Sequence, residues 1–253
     1  MIQLKSPAEI EKIRASCRIA ALTMAKVLDK ITPGTTTGQL DAIADDYIRR
    51  NAAIPSAKGY RGYPKSICTS VNDEIVHGIP GARKLVDGDI LSVDIAVLKD
   101  GYHGDMNVSV GVGNISLVAQ SLLDATRESL EIGLQASRPD QRLGDIGHLI
   151  QRHVEAQGFS VVREYCGHGI GKAFHEEPQL LHFGTPGTGR RLEAGIVFTI
   201  EPMVNEGAAD SRVLDDDWTA VTQDGKLSAQ FEHTVAVTAN GPDVLSRFDD
   251  LPF

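Results

Sequence analysis

Ser92-Val-Asp-Ile-Ala-Val-Leu-Lys-Asp-Gly-Tyr-His-Gly-Asp105 is the stretch of sequence that decides the fold. Apolar residues alternate with other residues up to an Asp-Gly pair, a pattern typical of a β-hairpin. If that pair forms the loop, Ala96 lies opposite Asp105, and Asp94 is the diagonal neighbour of Asp105 on the same face. Two close carboxylates repel each other unless a cation or a shared proton relieves the repulsion. The hairpin therefore predicts a cation site, and the rest of the chain must supply its other ligands.

Composition limits the possible functions. The 253 residues include 25 basic and 34 acidic ones, for a formal charge of -9, which disfavours binding to a phosphate backbone. The three cysteines are widely spaced and form neither a disulfide framework nor a zinc ribbon, which suits a reducing cytosol. No basic-then-apolar leader precedes Ser6, and the longest uncharged run, Met106 to Leu123, has the composition of a strand, a turn and a helix start. We expect a soluble cytoplasmic protein that binds neither nucleic acid nor membranes.

The chain repeats one order of elements. Four helices are predicted, from the capping box Ser6-Pro-Ala-Glu9 to Pro33, over 37–50, over about 116–136 and over about 144–157. Strands are predicted at Lys65–Val71, Ser160–Cys166, Ile196–Met203 and Ala229–Thr238, besides the hairpin. Five residues of the first half, Pro33, Gly38, Leu40, Ile43 and Ile48, are matched at a constant offset by Pro139, Gly144, Ile146, Leu149 and Val154. We expect one α+β catalytic domain over 1–253, with pseudo-twofold halves of about 1–114 and 115–253 and a site at their junction.

The second half offers more side chains that could bind a cation. Glu201 ends a predicted strand on the face opposite its apolar side, and Pro202 removes the next ladder donor. Glu232 likewise lies opposite an apolar face, and glycines flank His168 on both sides, so that the backbone can turn sharply there. Four carboxylates and one imidazole suit two divalent ions of the Mn, Fe(II), Co or Zn type.

Each of these acids, and the histidine, also has an ordinary structural explanation. A single acid at a strand end is usually solvated or caps the chain, and a histidine between glycines more often belongs to a loop than to a metal site. The joint occurrence of five such residues, with each acid opposite its strand's apolar side, favours the metal site.

Several motifs resemble a known family, the type I methionine aminopeptidases. They are Ser70-Val-Asn72, His77-Gly-Ile-Pro80, Asp94 with Lys99-Asp-Gly-Tyr-His-Gly-Asp105, Cys166-Gly-His-Gly-Ile-Gly171, His175-Glu-Glu-Pro178, Phe198-Thr-Ile-Glu-Pro-Met-Val204 and Leu227-Ser-Ala-Gln-Phe-Glu-His-Thr234. They span nearly the whole chain in order. The resemblance implies the pita-bread fold, with pseudo-twofold helix–helix–strand halves around a central antiparallel sheet.

The resemblance also implies roles for the metal ligands. Two divalent ions would be bound by Asp94, Asp105, His168, Glu201 and Glu232. Asp105 and Glu232 would bridge the ions, Asp94 would complete the shell of one, and His168 with Glu201 that of the other. The ions would be Co, Mn, Fe(II) or Zn.

Further residues match the family's substrate site. His77 and His175 match the two histidines that contact the substrate peptide, and the lining of the methionine pocket falls on Tyr60, Tyr63, Cys68, Phe174 and Trp218. His175 could instead cap a loop, and Cys68 and Trp218 could be ordinary core residues. The chain departs from the family at Ala57, where cysteine is common, at Asp217, where glycine is usual, and at Met106-Asn107, where small polar residues are frequent.

The function implied is removal of the N-terminal initiator methionine from nascent proteins and peptides, with a preference for a small second residue. A metal-bound water or hydroxide would attack the scissile carbonyl. Glu201 would shuttle its proton, and His77 and His175 would steady the amide and the developing oxyanion.

Three alternatives are weighed against this function. Proline-specific peptidases of the same fold carry a large N-terminal domain that this chain lacks, and type II methionine aminopeptidases need a helical insertion for which the stretch from His168 to Glu232 leaves little room. A binding protein derived from the fold would have lost ligands, and here all five are present. Since the substrate is a nascent chain, we expect transient proximity to the ribosome. The sequence has no obvious apolar stripe for association with another chain, so we expect a monomer.

Overall fold

Four amphipathic helices begin within one residue of their predicted starts in the computed structural model, which describes residues 2–251. They are α1 (Pro7–Leu28), α2 (Thr37–Arg50), α3 (Leu117–Ala136) and α4 (Leu143–Ala156). The predicted capping box is present, because Ser6 Oγ accepts from the Glu9 backbone and the Glu9 carboxylate accepts from the Ser6 N–H at 2.9 Å. Within residues 2–251, no helix combines the length and the apolar character that crossing a membrane requires.

Fifteen strands are described between these helices. They are β1 (Ile54–Pro55), β2 (Cys68–Val71), β3 (Glu74–Val76), β4 (Ile90–Lys99), β5 (Tyr102–Gly111), β6 (Ser160–Val161), β7 (Gly167–Gly169), β8 (Glu176–Leu180), β9 (Val197–Ile200), β10 (Met203–Asn205), β11 (Ser211–Val213), β12 (Ala220–Thr222), β13 (Ser228–Gln230), β14 (Glu232–Thr238) and β15 (Gly241–Val244). The largest sheet has the order β1-β4-β5-β14-β9-β7-β8, with β2 also on β4 and β15 also on β14. Two smaller sheets have the orders β13-β10-β6 and β11-β12-β3.

The two halves of the chain meet in the middle of the large antiparallel sheet. The hairpin β4–β5 comes from the first half and the pair β9–β14 from the second, and β5 joins β14 through the pairs Asn107–Glu232 and Met106–His233. Two helices precede each ribbon in the chain, and α1 packs against β4 and β5. The predicted α+β architecture with two helix–helix–strand halves is confirmed, whereas the single domain over 1–253 stays a prediction.

Four predicted strands differ from the structure. Lys65–Val71 begins three residues later than predicted, as β2 (Cys68–Val71). Ile196–Met203 is divided into β9 and β10, and Ala229–Thr238 starts one residue earlier and is divided into β13 and β14. The reason is that β9 pairs with β14 in the large sheet, while β10 pairs with β13 in a small one, so the ribbon bends between sheets at Glu201-Pro202 and Phe231. Of the predicted strand Ser160–Cys166 only β6 forms, and the chain bends at residues 163–164.

Candidate active site

The hairpin β4–β5 presents its two aspartates as predicted. Ala96 pairs with Asp105, and Asp94 pairs with Asn107, which in turn pairs with Glu232 of β14. Directly paired residues and residues two apart on one strand share a face of the sheet. The carboxylates of Asp94, Asp105 and Glu232 therefore lie on the same face, next to the line where the two halves meet.

Glu201 lies at the bend between β9 and β10. Its Oε1 accepts a hydrogen bond from Thr199 Oγ1 at 2.6 Å, and its Oε2 accepts one from Gln230 Nε2 at 3.2 Å. Pro202 has no N–H to continue the ladder, so the strand ends at this residue. The bend and the two hydrogen bonds aim the carboxylate at the hairpin's aspartates.

His168 lies on β7 between two glycines whose hydrogen atoms face neighbouring backbone. A Cβ at Gly167 would be 2.4 Å from the Thr199 carbonyl oxygen, and one at Gly169 would be 2.2 Å from that of Glu177. The ring is oriented by its Nδ1, 3.0 Å from the Gly169 carbonyl oxygen. Its Nε2 faces the acids, 3.8 Å from Asp105 Oδ2 and 3.7 Å from Glu201 Oε1. The glycines therefore let β7 approach closely enough to place this imidazole among the carboxylates.

The cluster is buried and crowded with negative charge. Burial raises the pKa of Asp94 to about 6 and that of Glu201 to about 8. Burial, followed by the charges of the neighbouring acids, raises the pKa of Asp105 and of Glu232 well above the usual values. Burial lowers the pKa of His168 to about 4, so the imidazole is neutral at physiological pH. A cation among these groups would relieve the repulsion and meet a neutral nitrogen ligand.

Two oxygen atoms support such a cation directly. Asp105 Oδ1 and Glu232 Oε1 are fully buried and have no hydrogen-bond partner among the described residues. One ligand atom from each of Asp105, His168 and Glu232 lies within 4.8 Å of the others. Buried polar atoms without partners are rare and often mark an ion. The residues present fit a divalent metal ion, and Asp94 and Glu201 line the same cavity.

A cavity of about 220 Å³ opens above the cluster. Six of the predicted substrate residues line it, namely Tyr63, Cys68, His77, Phe174, His175 and Trp218, together with Ala57. Tyr60 does not line it, and its ring instead stacks on that of His175 at 5.0 Å. The cavity wall thus combines aromatic and aliphatic surface with a polar floor, as small-molecule sites commonly do.

The two histidines of the cavity are neutral for the same reason as His168. Burial lowers the pKa of His77 to about 4 and that of His175 to about 3. The His175 ring lies 4.1 Å from that of His168, and His77 meets the Trp218 ring edge-on at 6.1 Å. Both histidines are placed to contact a molecule in the cavity, and neutral imidazoles can donate hydrogen bonds to it without adding charge.

Some residues of the site escaped the sequence analysis. Gln230 is buried and binds Glu201, and a signal for it existed, because it lies two residues before Glu232. His182 is fully buried, and its Nε2 accepts from the Glu201 backbone N–H at 3.1 Å. No sequence pattern indicated His182, since it reaches Glu201 from the segment after β8. The cavity wall also includes Val76, Ala96, Glu164, Tyr165, Cys166 and Met203.

Comparisons with known proteins agree with this geometry. Residues 11–239 match the model of metallopeptidase family M24. Methionine aminopeptidase 1 of Bacillus subtilis is 52% identical over 98% of this chain and 100% of its own length, and the methionine aminopeptidase of Escherichia coli K12 is 48% identical over 98% and 96%. The crystal structure of methionine aminopeptidase from Rickettsia prowazekii superposes with a TM-score of 0.96 at 40% identity, covering 98% of this chain and 100% of that one.

A more distant neighbour shares the fold alone. The prolidase of Pyrococcus horikoshii OT3 superposes with a TM-score of 0.78 at 19% identity, and this chain covers 65% of it. Of the relatives named here, the methionine aminopeptidases match along all or nearly all of their length. The chain belongs to metallopeptidase family M24, and within it to the type I methionine aminopeptidases.

Proposed function

We propose that this chain is a metal-dependent hydrolase that removes the N-terminal methionine from nascent proteins and peptides, with a preference for a small second residue. The observation that carries the proposal is the buried cluster of acids and imidazole on the floor of a small, largely apolar cavity. Full-length identity of 52% to a methionine aminopeptidase supports the same activity.

The cluster would bind two divalent ions, of which Mn, Fe(II), Co and Zn are the candidates. Asp105 and Glu232 would bridge them, which agrees with the buried, unpartnered oxygen atom on each of these carboxylates. Asp94 would complete the shell of one ion, and His168 with Glu201 that of the other. When bound, such ions make water nucleophilic near neutral pH and polarise a scissile carbonyl.

The proton of the attacking water would pass to Glu201. In the metal-free cluster, burial raises the pKa of this carboxylate to about 8, and the positive charge of bound ions would lower that pKa and leave an ionised carboxylate that can accept a proton. Thr199 and Gln230 hold both of its oxygen atoms in place. Glu201 would thus both bind a metal ion and transfer a proton.

The cavity residues would bind the substrate. Tyr63, Cys68, Phe174 and Trp218 would surround the methionine side chain, while Tyr60 would act through its stack on His175. His77 and His175 would donate hydrogen bonds to the substrate amide and to the oxyanion that develops at the carbonyl. The cavity of about 220 Å³ would hold the methionine side chain.

Three peptides test the activity. The protein, loaded with Mn²⁺, Fe²⁺ or Co²⁺, is incubated with peptides that begin Met-Gly, Met-Leu and Ala-Pro, and free amino acids are measured. We expect methionine from Met-Gly and little from Met-Leu, because the proposed preference for a small second residue would exclude leucine. Release from Ala-Pro but not from Met-Gly would assign the activity of the proline-specific relatives instead, and no release at all would favour a binding protein.

The cellular context follows from the substrate. A nascent chain emerges from the ribosome, so we propose transient proximity to it. The formal charge of -9 offers no support for direct binding to RNA. The cytoplasmic location and the monomeric state stay predictions.

A further inference from the structure

A buried ion pair lies outside the metal cluster and the cavity wall. Lys5 Nζ is 2.5 Å from Glu176 Oε2, and the two side chains expose only 4% and 14% of their surface. Lys5 precedes α1, and its backbone N–H donates to the Gly195 carbonyl oxygen at 2.7 Å. Removing one partner of a buried pair leaves an unpaired charge, at a cost of several kcal/mol. The pair therefore attaches the start of the chain firmly to the first residue of β8.

Glu176 also binds the loop that precedes it. This loop, residues 170–175, joins β7 to β8 and carries Phe174 and His175; we call it the histidine loop. Glu176 Oε1 accepts from the Ala173 backbone N–H at 3.0 Å, while Oε2 binds Lys5. No helix or strand forms within the loop. One carboxylate thus links the middle of the histidine loop to Lys5, which is 171 residues away from Glu176 in the sequence.

The loop backbone packs directly against the pair. A Cβ at Gly171 would be 2.7 Å from both Cε and Nζ of Lys5 and 2.9 Å from Glu176 Oε1. A side chain at position 171 would displace the ends of the Lys5 and Glu176 side chains, so glycine lets the loop backbone lie directly against the pair. The Gly171 carbonyl oxygen also accepts from the His103 N–H at 2.8 Å. The Lys5 side chain therefore forms part of the surface on which the loop rests.

The imidazole at the far end of the loop depends on this support. The His175 ring packs against three other rings, with centroid distances of 4.1 Å to His168, 4.4 Å to Phe174 and 5.0 Å to Tyr60. Stacking tolerates sliding far more than a hydrogen bond does. The position of the ring relative to the cluster is therefore set mainly by the backbone that carries it.

We propose that Lys5 is a positioning residue for His175. It neutralises Glu176, which allows the buried carboxylate to hold Ala173 and so fixes the histidine loop. The inference rests on the proposed role of His175 in binding the oxyanion. Since that role is exercised mainly in the transition state, loss of Lys5 should lower kcat more than it raises KM.

The first experiment replaces Lys5 with methionine, which keeps the length and removes the charge. With a Met-Gly peptide and saturating metal, we expect Lys5→Met to lower kcat about 10- to 100-fold, as small displacements of a catalytic group do, with KM changed less than about twofold. Lys30→Met is the matched control, because Lys30 pairs with Asp29 on the surface with 59% of its side chain exposed, and it should leave both constants unchanged. An unchanged kcat in Lys5→Met overturns the proposal.

Two double variants separate positioning from general destabilisation. Lys5→Met with Glu176→Gln removes the unpaired charge and keeps an acceptor for Ala173, so kcat should recover at least threefold relative to Lys5→Met alone. In a His175→Ala background, Lys5→Met should cause less than a twofold further loss, because it acts through the missing ring. Full additivity of the two losses, or no recovery with glutamine, would show that Lys5 acts on the fold in general.

A third measurement does not depend on turnover. Hydrogen exchange at the Ala173 amide of the metal-free protein should be at least tenfold faster in Lys5→Met than in wild type, and equal rates overturn the inference. If the wild type releases no methionine, the proposed function fails while this comparison still decides the role of Lys5. If Lys5→Met does not fold at the assay temperature, Glu176→Asp replaces it, because the shorter acid cannot reach both partners; an unchanged kcat and amide exchange rate would again refute the proposal.

Discussion

Alanine at Gly169 should reduce activity strongly while the protein remains folded. The new Cβ would lie 2.2 Å from the Glu177 carbonyl oxygen, whereas ordinary contact begins at 3.4 Å, so β7 and β8 must separate locally by about 1 Å. The Gly169 carbonyl oxygen accepts from His168 Nδ1 at 3.0 Å, so the imidazole moves with it. A misplacement of about 1 Å in a site can cost about 100-fold in rate, which corresponds to about 2.7 kcal/mol.

The loss of folding free energy should be smaller than the total stability of the domain. Overpacking typically costs about 1–3 kcal/mol, and domains have about 5–15 kcal/mol of stability, so the variant should remain folded. The assay is kcat/KM on a Met-Gly peptide at saturating metal, together with the free energy of unfolding by urea. Gly81→Ala is the control, since a Cβ there meets only the Ile79 carbonyl oxygen at 3.9 Å. A Gly169→Ala protein with kcat/KM within twofold of Gly81→Ala would refute the argument that close backbone approach places His168.

Three further predictions concern separate parts of the molecule. Glu232→Ala should lower kcat/KM by more than about 100-fold, which is the loss expected when a residue that only orients a metal ligand is removed. It should also weaken metal binding measured by calorimetry, and near-normal activity would disprove the bridging role. Asp217 has φ +63°, so Asp217→Gly should raise the free energy of unfolding by about 0.5–1 kcal/mol. Asp216→Gly, which removes the hydrogen bonds that the Asp216 carboxylate accepts from the Trp218 and Thr219 backbone, should lower it, and urea unfolding of both variants tests the difference. The pKa of Asp45 is lowered to about 2, mainly by its hydrogen bond with Arg49, so the stability that the ionised Asp45 contributes is complete above about pH 4 and is lost as the pH falls towards 2. Asp45→Asn should therefore flatten the pH dependence of the free energy of unfolding between about pH 4 and 2, and an unchanged slope would contradict this.

The hairpin could be predicted because its signal is local. Asp100 and Gly101 have φ of +48° and +80°, the left-handed values that a two-residue turn of this type requires and that Asp-Gly favours. The bends at Glu201 and Phe231 could not be predicted, because buried residues continue on both sides of each bend. Alternation reports which face is buried, but it does not report which sheet a strand joins.

The site was predictable to the extent that its residues share faces of strands. The register of the hairpin and the side opposite each strand's apolar face were enough to select Asp94, Asp105 and Glu232. The contact of His182 with the Glu201 backbone depends on how the segment after β8 folds back, which no local pattern encodes. Of the segment 162–166, predicted as strand, Glu164, Tyr165 and Cys166 instead line the cavity.

The line where the two halves meet explains why the cluster lies there. The strands β5 and β14 are joined by only two residue pairs. Beyond these pairs, Thr234 Oγ1 accepts from the Asp105 N–H at 3.2 Å and donates to its carbonyl oxygen at 2.8 Å, so a side chain replaces the backbone ladder. Thr234 thus completes the hydrogen bonding of the Asp105 backbone where β5 and β14 diverge. The opening between the two strands receives two acids from each half of the chain. Because acids from opposite halves repel each other, a cation between them would hold the halves together, so the place that binds the metal is also the place where the fold most needs it.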